Sequence, residues 1–195
     1  MKIISIVLGL FFASVSFSYA YGDFNSNGCP PGTYSVVLSP DQQVLSVLFD
    51  SFNVEAGGNT GRLQDTKTCR LQIPINVPAG HRIGVYKVDY RGYVNIPHKG
   101  RSHLMVDYIF ANQKSPTFHK QMMGARNQEY ILTDTIGAGH MKWTACGMPT
   151  IIDLKATLSL ALNGEAAQSM ITFDSLDGQP KGGITYHLQL KRCSN

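Results

Sequence analysis

Ile-Asp-Leu-Lys-Ala-Thr-Leu-Ser-Leu-Ala-Leu, residues 152–162, is the stretch on which the reading of the chain turns. Leu, Ala and Lys are good helix formers by propensity. Yet Ile152, Leu154, Ala156, Leu158, Leu160 and Leu162 alternate strictly with Asp153, Lys155, Thr157 and Ser159. A helix would spread those leucines around its circumference, whereas a strand puts them all on one side. The segment is therefore read as a strand with one buried and one wet face.

The same period recurs along the chain. Cys69, Leu71, Ile73, Ile75 and Val77 alternate with Arg70, Gln72, Pro74 and Asn76. Leu104, Val106, Tyr108 and Phe110 alternate with His103, Met105, Asp107 and Ile109, and Ile184, Tyr186, Leu188 and Leu190 with Thr185, His187, Gln189 and Lys191. Turn chemistry lies between the runs. Ser39-Pro40-Asp41-Gln42 joins 34–38 to 44–49 as a hairpin, Pro78-Ala79-Gly80 breaks the next pair, and Asp177-Gly178-Gln179-Pro180 precedes the last strand. Pro74 marks an edge or a bulge. The expected fold is all-β: an antiparallel β-sandwich of about seven to nine strands, with a barrel as runner-up.

Residues 1–20 carry the signals of a secretory leader. Met1-Lys2 is a short basic start, Ile3 to Phe12 is apolar, and Ser18-Tyr19-Ala20 has the small-x-small pattern of a cleavage site. Residues 21–28 read as a mobile arm and 29–195 as one domain, long enough for a full core. Apolar content of 43% against 15% charge argues against disorder. The net charge of +4, less Lys2, is too small for a nucleic-acid domain. No second apolar run is long enough to span a bilayer. The expected location is extracellular, or periplasmic in transit.

Cys29, Cys69, Cys146 and Cys193 all follow the leader, and an even cysteine count in an exported chain signals two disulfides. Spacing alone does not choose among the three pairings. The preferred one is Cys29–Cys69 with Cys146–Cys193, because each then closes a separate half of the domain. The absence of any C-x-x-C pair argues against zinc.

These residues also carry a resemblance. Gly28-Cys29-Pro30-Pro31-Gly32-Thr33, Leu38-Ser39-Pro40-Asp41, Lys67-Thr68-Cys69-Arg70-Leu71, Val88-Asp89-Tyr90-Arg91-Gly92-Tyr93, Trp143-Thr144-Ala145-Cys146-Gly147 and Tyr186-His187-Leu188-Gln189-Leu190-Lys191-Arg192-Cys193 resemble a family of small secreted bacterial and fungal proteins of unknown function. The resemblance covers nearly all of residues 28–193. It implies a secreted β-rich domain with two disulfides, and no catalytic residue comes with it.

Candidate sites are few. Asp89 and Arg91 share one strand face as a recognition or structural ion pair, with Gly92 permitting a bulge. Tyr86, Tyr90 and Tyr93 could offer a glycan-binding aromatic face, though the period assigns Tyr86 and Tyr90 to the core. His98 and His103 flank a short loop and could approach one another, but two imidazoles fall short of a firm metal site, so no metal or cofactor is expected. Asp174, Asp177 and Gly178 supply too few oxygens for calcium and read as turn capping. G-x-S-x-G is absent and each cysteine has a structural task, so no catalytic residue is assigned and the protein is not expected to be an enzyme. An unrecognised hydrolase remains a distant alternative.

Two loops are longer than a sandwich needs: 96–102 (Ile-Pro-His-Lys-Gly-Arg-Ser) and 111–128. The second combines Lys114, Phe118, His119, Lys120, Met122, Met123 and Arg126, an apolar tip rimmed by cations. The expectation is a monomeric secreted binding protein, its partner a protein, a glycan or an anionic lipid surface. A carbohydrate- or envelope-binding module is the alternative.

Overall fold

The structure, a computed structural model, describes residues 20–23, 26–164, 167–173 and 182–194. The expected leader, save Ala20, and the Asp174–Gly178 turn lie outside them. In chain order the strands are β1 (Tyr21–Gly22), β2 (Tyr34–Leu38), β3 (Val44–Phe49), β4 (Asn53–Ala56), β5 (Gln64–Ile75), β6 (His81–Ile96) and β7 (Gly100–Phe110). They continue as β8 (Gln113–Lys114), β9 (Phe118–Met123), β10 (Arg126–Thr135), β11 (Thr150–Leu162), β12 (Ser169–Thr172) and β13 (Gly183–Arg192).

These strands form two antiparallel sheets packed as a sandwich. One runs β1-β5-β11-β7, with β8 and β9 both on the outer edge of β7. The other runs β2-β3-β13-β6, with β12 and then β4 continuing on β13's side of β6 and β10 on the opposite side. Thirteen strands exceed the expected seven to nine for two reasons. Two-residue strands are too short to show a period, and much of 111–128, expected as loop, is β9 and β10.

The alternating residues fill the layer between the sheets. Ile152, Leu154, Ala156 and Leu158 are fully buried in β11, opposite Ile73, Leu71 and Cys69 of β5 and Phe110, Tyr108 and Val106 of β7. Burying each large aliphatic or aromatic side chain contributes about 1.5–3 kcal/mol, which overrides the helix propensity of 152–162. Pro74 lies at the sheet margin, where β1 is only two residues long. Ser39 caps the β2–β3 turn, its hydroxyl accepting from the Val44 amide at 2.9 Å.

Both disulfides have the preferred pairing. Cys29–Cys69 spans a Cα separation of 5.1 Å and Cys146–Cys193 one of 6.1 Å. With partners 40 and 47 positions apart in sequence, each lowers the entropy of the unfolded chain enough to stabilise by about 4 kcal/mol. Cys29–Cys69 also draws the described residues of the expected arm, 21–23 and 26–28, alongside β5. Tyr21 and Gly22 pair with Gln72 and Leu71. Gly28 N–H donates to Thr68 O at 2.9 Å, and Ser26 Oγ accepts from Arg70 N–H at 3.0 Å. The segment satisfies backbone groups on the edge of β5 that would otherwise need water.

Two positions in β6 depart from expectation. The register with β13 shifts so that Lys87 faces His187 and Val85 faces Leu188. This bulge breaks the period and turns Tyr86 outward to 40% exposure, while Tyr90 stays fully buried. Gly92 makes no bulge. It permits close approach: a Cβ there would lie 1.9 Å from Thr172 O and 2.6 Å from the Tyr130 hydroxyl. Tyr130 crosses over Gly92 to donate to that carbonyl at 2.9 Å.

Gly92→Ala is therefore expected to lower stability by about 1–3 kcal/mol through overpacking. Urea unfolding measures it, and an unchanged midpoint would show that β6 and Tyr130 can separate freely.

Candidate functional site

The sandwich does not close into a barrel. Among the described pairings, β9 bonds only to β7 and β10 only to β6, so one sheet ends at β9 and the other at β10. The turn at Gly124-Ala125 joins the two strands across the gap between the sheets. Gly124 has φ 78°, a conformation natural to glycine.

Register decides which side chains enter the gap. Phe118, Lys120 and Met122 stand opposite Val106, Leu104 and Ser102, residues of β7's buried face. Arg126, Gln128, Tyr130 and Leu132 stand opposite Ile96, Val94, Gly92 and Tyr90 on β6. The result is a cleft of about 340 Å³ along the open side of the sandwich. Met122, Tyr130, Ile131 and Leu132 line it with apolar surface, Lys120, Arg126, Gln121 and Gln128 add cationic and amide heads, and Glu129 is its one acidic group.

The β6–β7 turn lies beside the closed end of this cleft. Gly124 N–H donates to Gly100 O, and Arg101 stands opposite Met123. The two segments that looked unusual in the sequence, 96–102 and 111–128, thus meet at one end of the molecule. Lys99, Arg101, Lys120 and Arg126 are all exposed there. Pooled cations of this kind raise the local concentration of anions.

The expected apolar tip does not form. Phe118 is half-buried and stacks on Tyr90 with ring centroids 4.3 Å apart, and Met122 is buried. Met123 alone stays exposed, at 52%. Lys114 sits apart on β8, 3.7 Å from Asp107. His119 turns to the outer face of its sheet. There His103 has its ring neighbour in His119, with nitrogens 3.2 Å apart, rather than in His98. Burial foremost, then the nearby His119 and Arg101, holds the His103 imidazole below its ordinary value.

Asp89 and Arg91 do not form the expected pair. Asp89 Oδ2 lies 3.1 Å from Lys87 Nζ and 2.8 Å from His187 Nε2, and its Oδ1 accepts from the Thr133 hydroxyl at 2.7 Å. Lys87 shares this face with Asp89 by the ordinary two-residue period of β6. Arg91 is exposed. Tyr86 points out, Tyr90 in, and Tyr93 donates its hydroxyl to Asn127, so the three tyrosines form no common platform. The Asp89 group is an ion-pair network within a sheet face.

The profile of a domain of unknown function, DUF4360, matches residues 22–193. The chain belongs to this family. An uncharacterized secreted protein of Arthroderma benhamiae is 30% identical over 174 residues, spanning 88% of this chain and 70% of that protein. With two disulfides and a secreted relative, the DUF4360 protein described here is a secreted protein. Its fold was also compared with solved structures. That of TmCBM61 in complex with β-1,4-galactotriose superposes over 90% of this chain and 88% of its own, at 13% identity and a TM-score of 0.29. At that score the likeness has no bearing on ligand. The family carries no assigned activity, so any functional reading rests on the site itself.

Asp89 sets a pH dependence. Burial alone raises its carboxyl value, but hydrogen bonds from Thr133, Lys87 and His187 outweigh that and hold it below the ordinary 3.8. A depressed carboxylate stabilises the fold above its unfolded value and loses that contribution as pH falls through the folded one. Asp89→Asn is expected to cost about 1–3 kcal/mol near neutrality. The gap from wild type should close in denaturation series run below the ordinary carboxylate value, and a gap independent of pH would remove the ion-pair assignment.

Proposed function

We propose that this is a secreted, non-catalytic binding protein that holds an acidic, extended segment of a partner protein along the β9–β10 cleft. The observation that carries the reading is the meeting of the two basic segments at the open side of the sandwich. Lys120 and Arg126 line the cleft from opposite sheets and outnumber its one acid, Glu129, while Lys99 and Arg101 lie at the adjoining β6–β7 turn. Edge strands also present backbone donors and acceptors to an added strand, with side chains supplying selectivity. An extended acidic segment satisfies both features. An anionic bilayer satisfies only the charge, since Phe118 and Met122 are turned inward.

Exposed Lys or Arg contacts with carboxylates contribute about 0.2–1 kcal/mol each and are screened by salt. Binding of a fluorescent oligoglutamate peptide is therefore expected to weaken steeply with salt. Lys120→Glu/Arg126→Glu should weaken it at least about tenfold, and Lys114→Glu, outside the cleft, should leave it unchanged. Heparin and phosphatidylserine vesicles form parallel arms. Equal binding by wild type and the double variant removes the cleft; stronger capture by heparin or vesicles removes the peptide reading.

A second reading, a glycan-binding module, has support elsewhere. Tyr21 is 70% exposed beside a cleft of about 290 Å³ lined by Asp23, Arg70, Gln72 and Asp153. An exposed aromatic face next to planar polar groups suits a sugar ring. Titration of neutral oligosaccharides against wild type and Tyr21→Ala tests it: saccharide binding lost in the variant would favour this reading, and no binding by either protein would end it.

A further inference from the structure

We propose that His103 and His119 form a surface site for an exchangeable divalent transition-metal ion, zinc or copper(II), on the outer face of the first sheet. Successive residues of β9 point to opposite sides. Phe118, Lys120 and Met122 enter the cleft, and His119, Gln121 and Met123 lie on the outer face with Arg101, His103 and Met105 of β7. The two imidazoles therefore lie on the opposite face of β9 from Lys120 and Met122, although Gln121 borders both the imidazole pair and the cleft.

The two nitrogens approach head-on, at a separation that suits one ion once each ring turns its lone pair off the line between them. His103 stands opposite Gln121, and His119 opposite Met105, so the histidines are diagonal neighbours across one pair of strands. His103 Nδ1 and His119 Nε2 are 3.2 Å apart, with rings inclined by 15°. Nitrogens bound to zinc at about 2.0–2.1 Å lie roughly 2.9 Å apart at a right angle and roughly 3.3 Å apart at a tetrahedral angle. The observed separation falls between these. Without an ion, a proton held between the two nitrogens accounts for the same approach, and the ion takes that proton's place.

The surroundings support ligation. The backbone of His103 is held on both sides, by Ser159 of β11 and Gln121 of β9 in the ladder, so the ligand stands on rigid sheet rather than on a loop. Gln121 Nε2 lies 3.4 Å from His103 Nε2. A half-turn of that amide presents its oxygen instead. It then accepts from His103 Nε2–H and fixes the tautomer whose bare Nδ1 faces the ion, the role a hydrogen-bonded neighbour serves in metal sites. Two imidazoles with solvent completing the shell suit borderline ions such as zinc and copper(II). The nearby Arg101 opposes the added charge, which keeps the ion exchangeable.

The test is titration of the oxidised, full-length mature protein with zinc chloride by calorimetry, and with copper(II) by electron paramagnetic resonance. One equivalent with coupling from two imidazole nitrogens is expected. His103→Ala and His119→Ala should each lower zinc affinity at least about tenfold, and Gln121→Ala should also weaken it. His140→Ala, a surface histidine elsewhere, should behave as wild type. Both site histidines have exposed neighbours and circular dichroism verifies folding of each variant. No stoichiometric binding, or binding that both single variants retain, overturns the site.

Discussion

Burial of one face of every long strand is the constraint on which the rest of this protein depends. β5, β7 and β11 turn their alternate residues toward β6 and β13 across one apolar layer. Aromatic contacts lock the layer: Tyr90 of β6 stacks on Phe118 of β9, and Tyr108 of β7 meets Tyr186 of β13 edge-on at 5.4 Å. Each contact joins one sheet to the other. The tyrosine hydroxyls share the cost, since burial pushes those of Tyr90 and Tyr186 well above their ordinary range. They stay neutral, and the layer holds aromatic bulk without charge.

Sheets packed in this way still have edges, and the chain treats them differently. The margin of β5 is covered by residues 21–23 and 26–28, pinned by Cys29–Cys69. The far edge of β6 is continued past β10 by 136–147, where Ile136 N–H donates to Tyr86 O at 2.9 Å, Trp143 bridges Gly84, and Cys146–Cys193 holds the segment to the end of β13. Among the described residues, nothing pairs with or staples the outer edges of β9 and β10. They carry Lys120 and Arg126 instead. Charge on an open edge discourages self-pairing, and the same charge attracts an anionic strand. Solubility and recognition follow from one arrangement.

The strand β9 shows how much such an edge can hold. One face closes the core with Phe118 and Met122 and puts Lys120 at the cleft, and the other carries His119 and Gln121. A six-residue strand thereby serves packing, charge and an imidazole pair, because the pleat separates neighbouring side chains. The bulge at Tyr86 has a comparable effect on β6, leaving Tyr86 and Lys87 both on the outer side between the buried Val85 and Val88.

The sequence by itself determined the buried faces, the sandwich class and the two disulfides, because period-two alternation and paired cysteines in an exported chain are local signals. It also singled out Lys120, Arg126 and the 96–102 turn. It could not show that Phe118 and Met122 face inward, that Asp89 meets His187 and Thr133, or that His103 meets His119 rather than His98. Those depend on register between strands far apart in the chain, and a shift of one residue reverses every side chain. Only the tertiary structure brought the two basic segments to one open edge, since that required both sheets, their packing and the turn at Gly124 together.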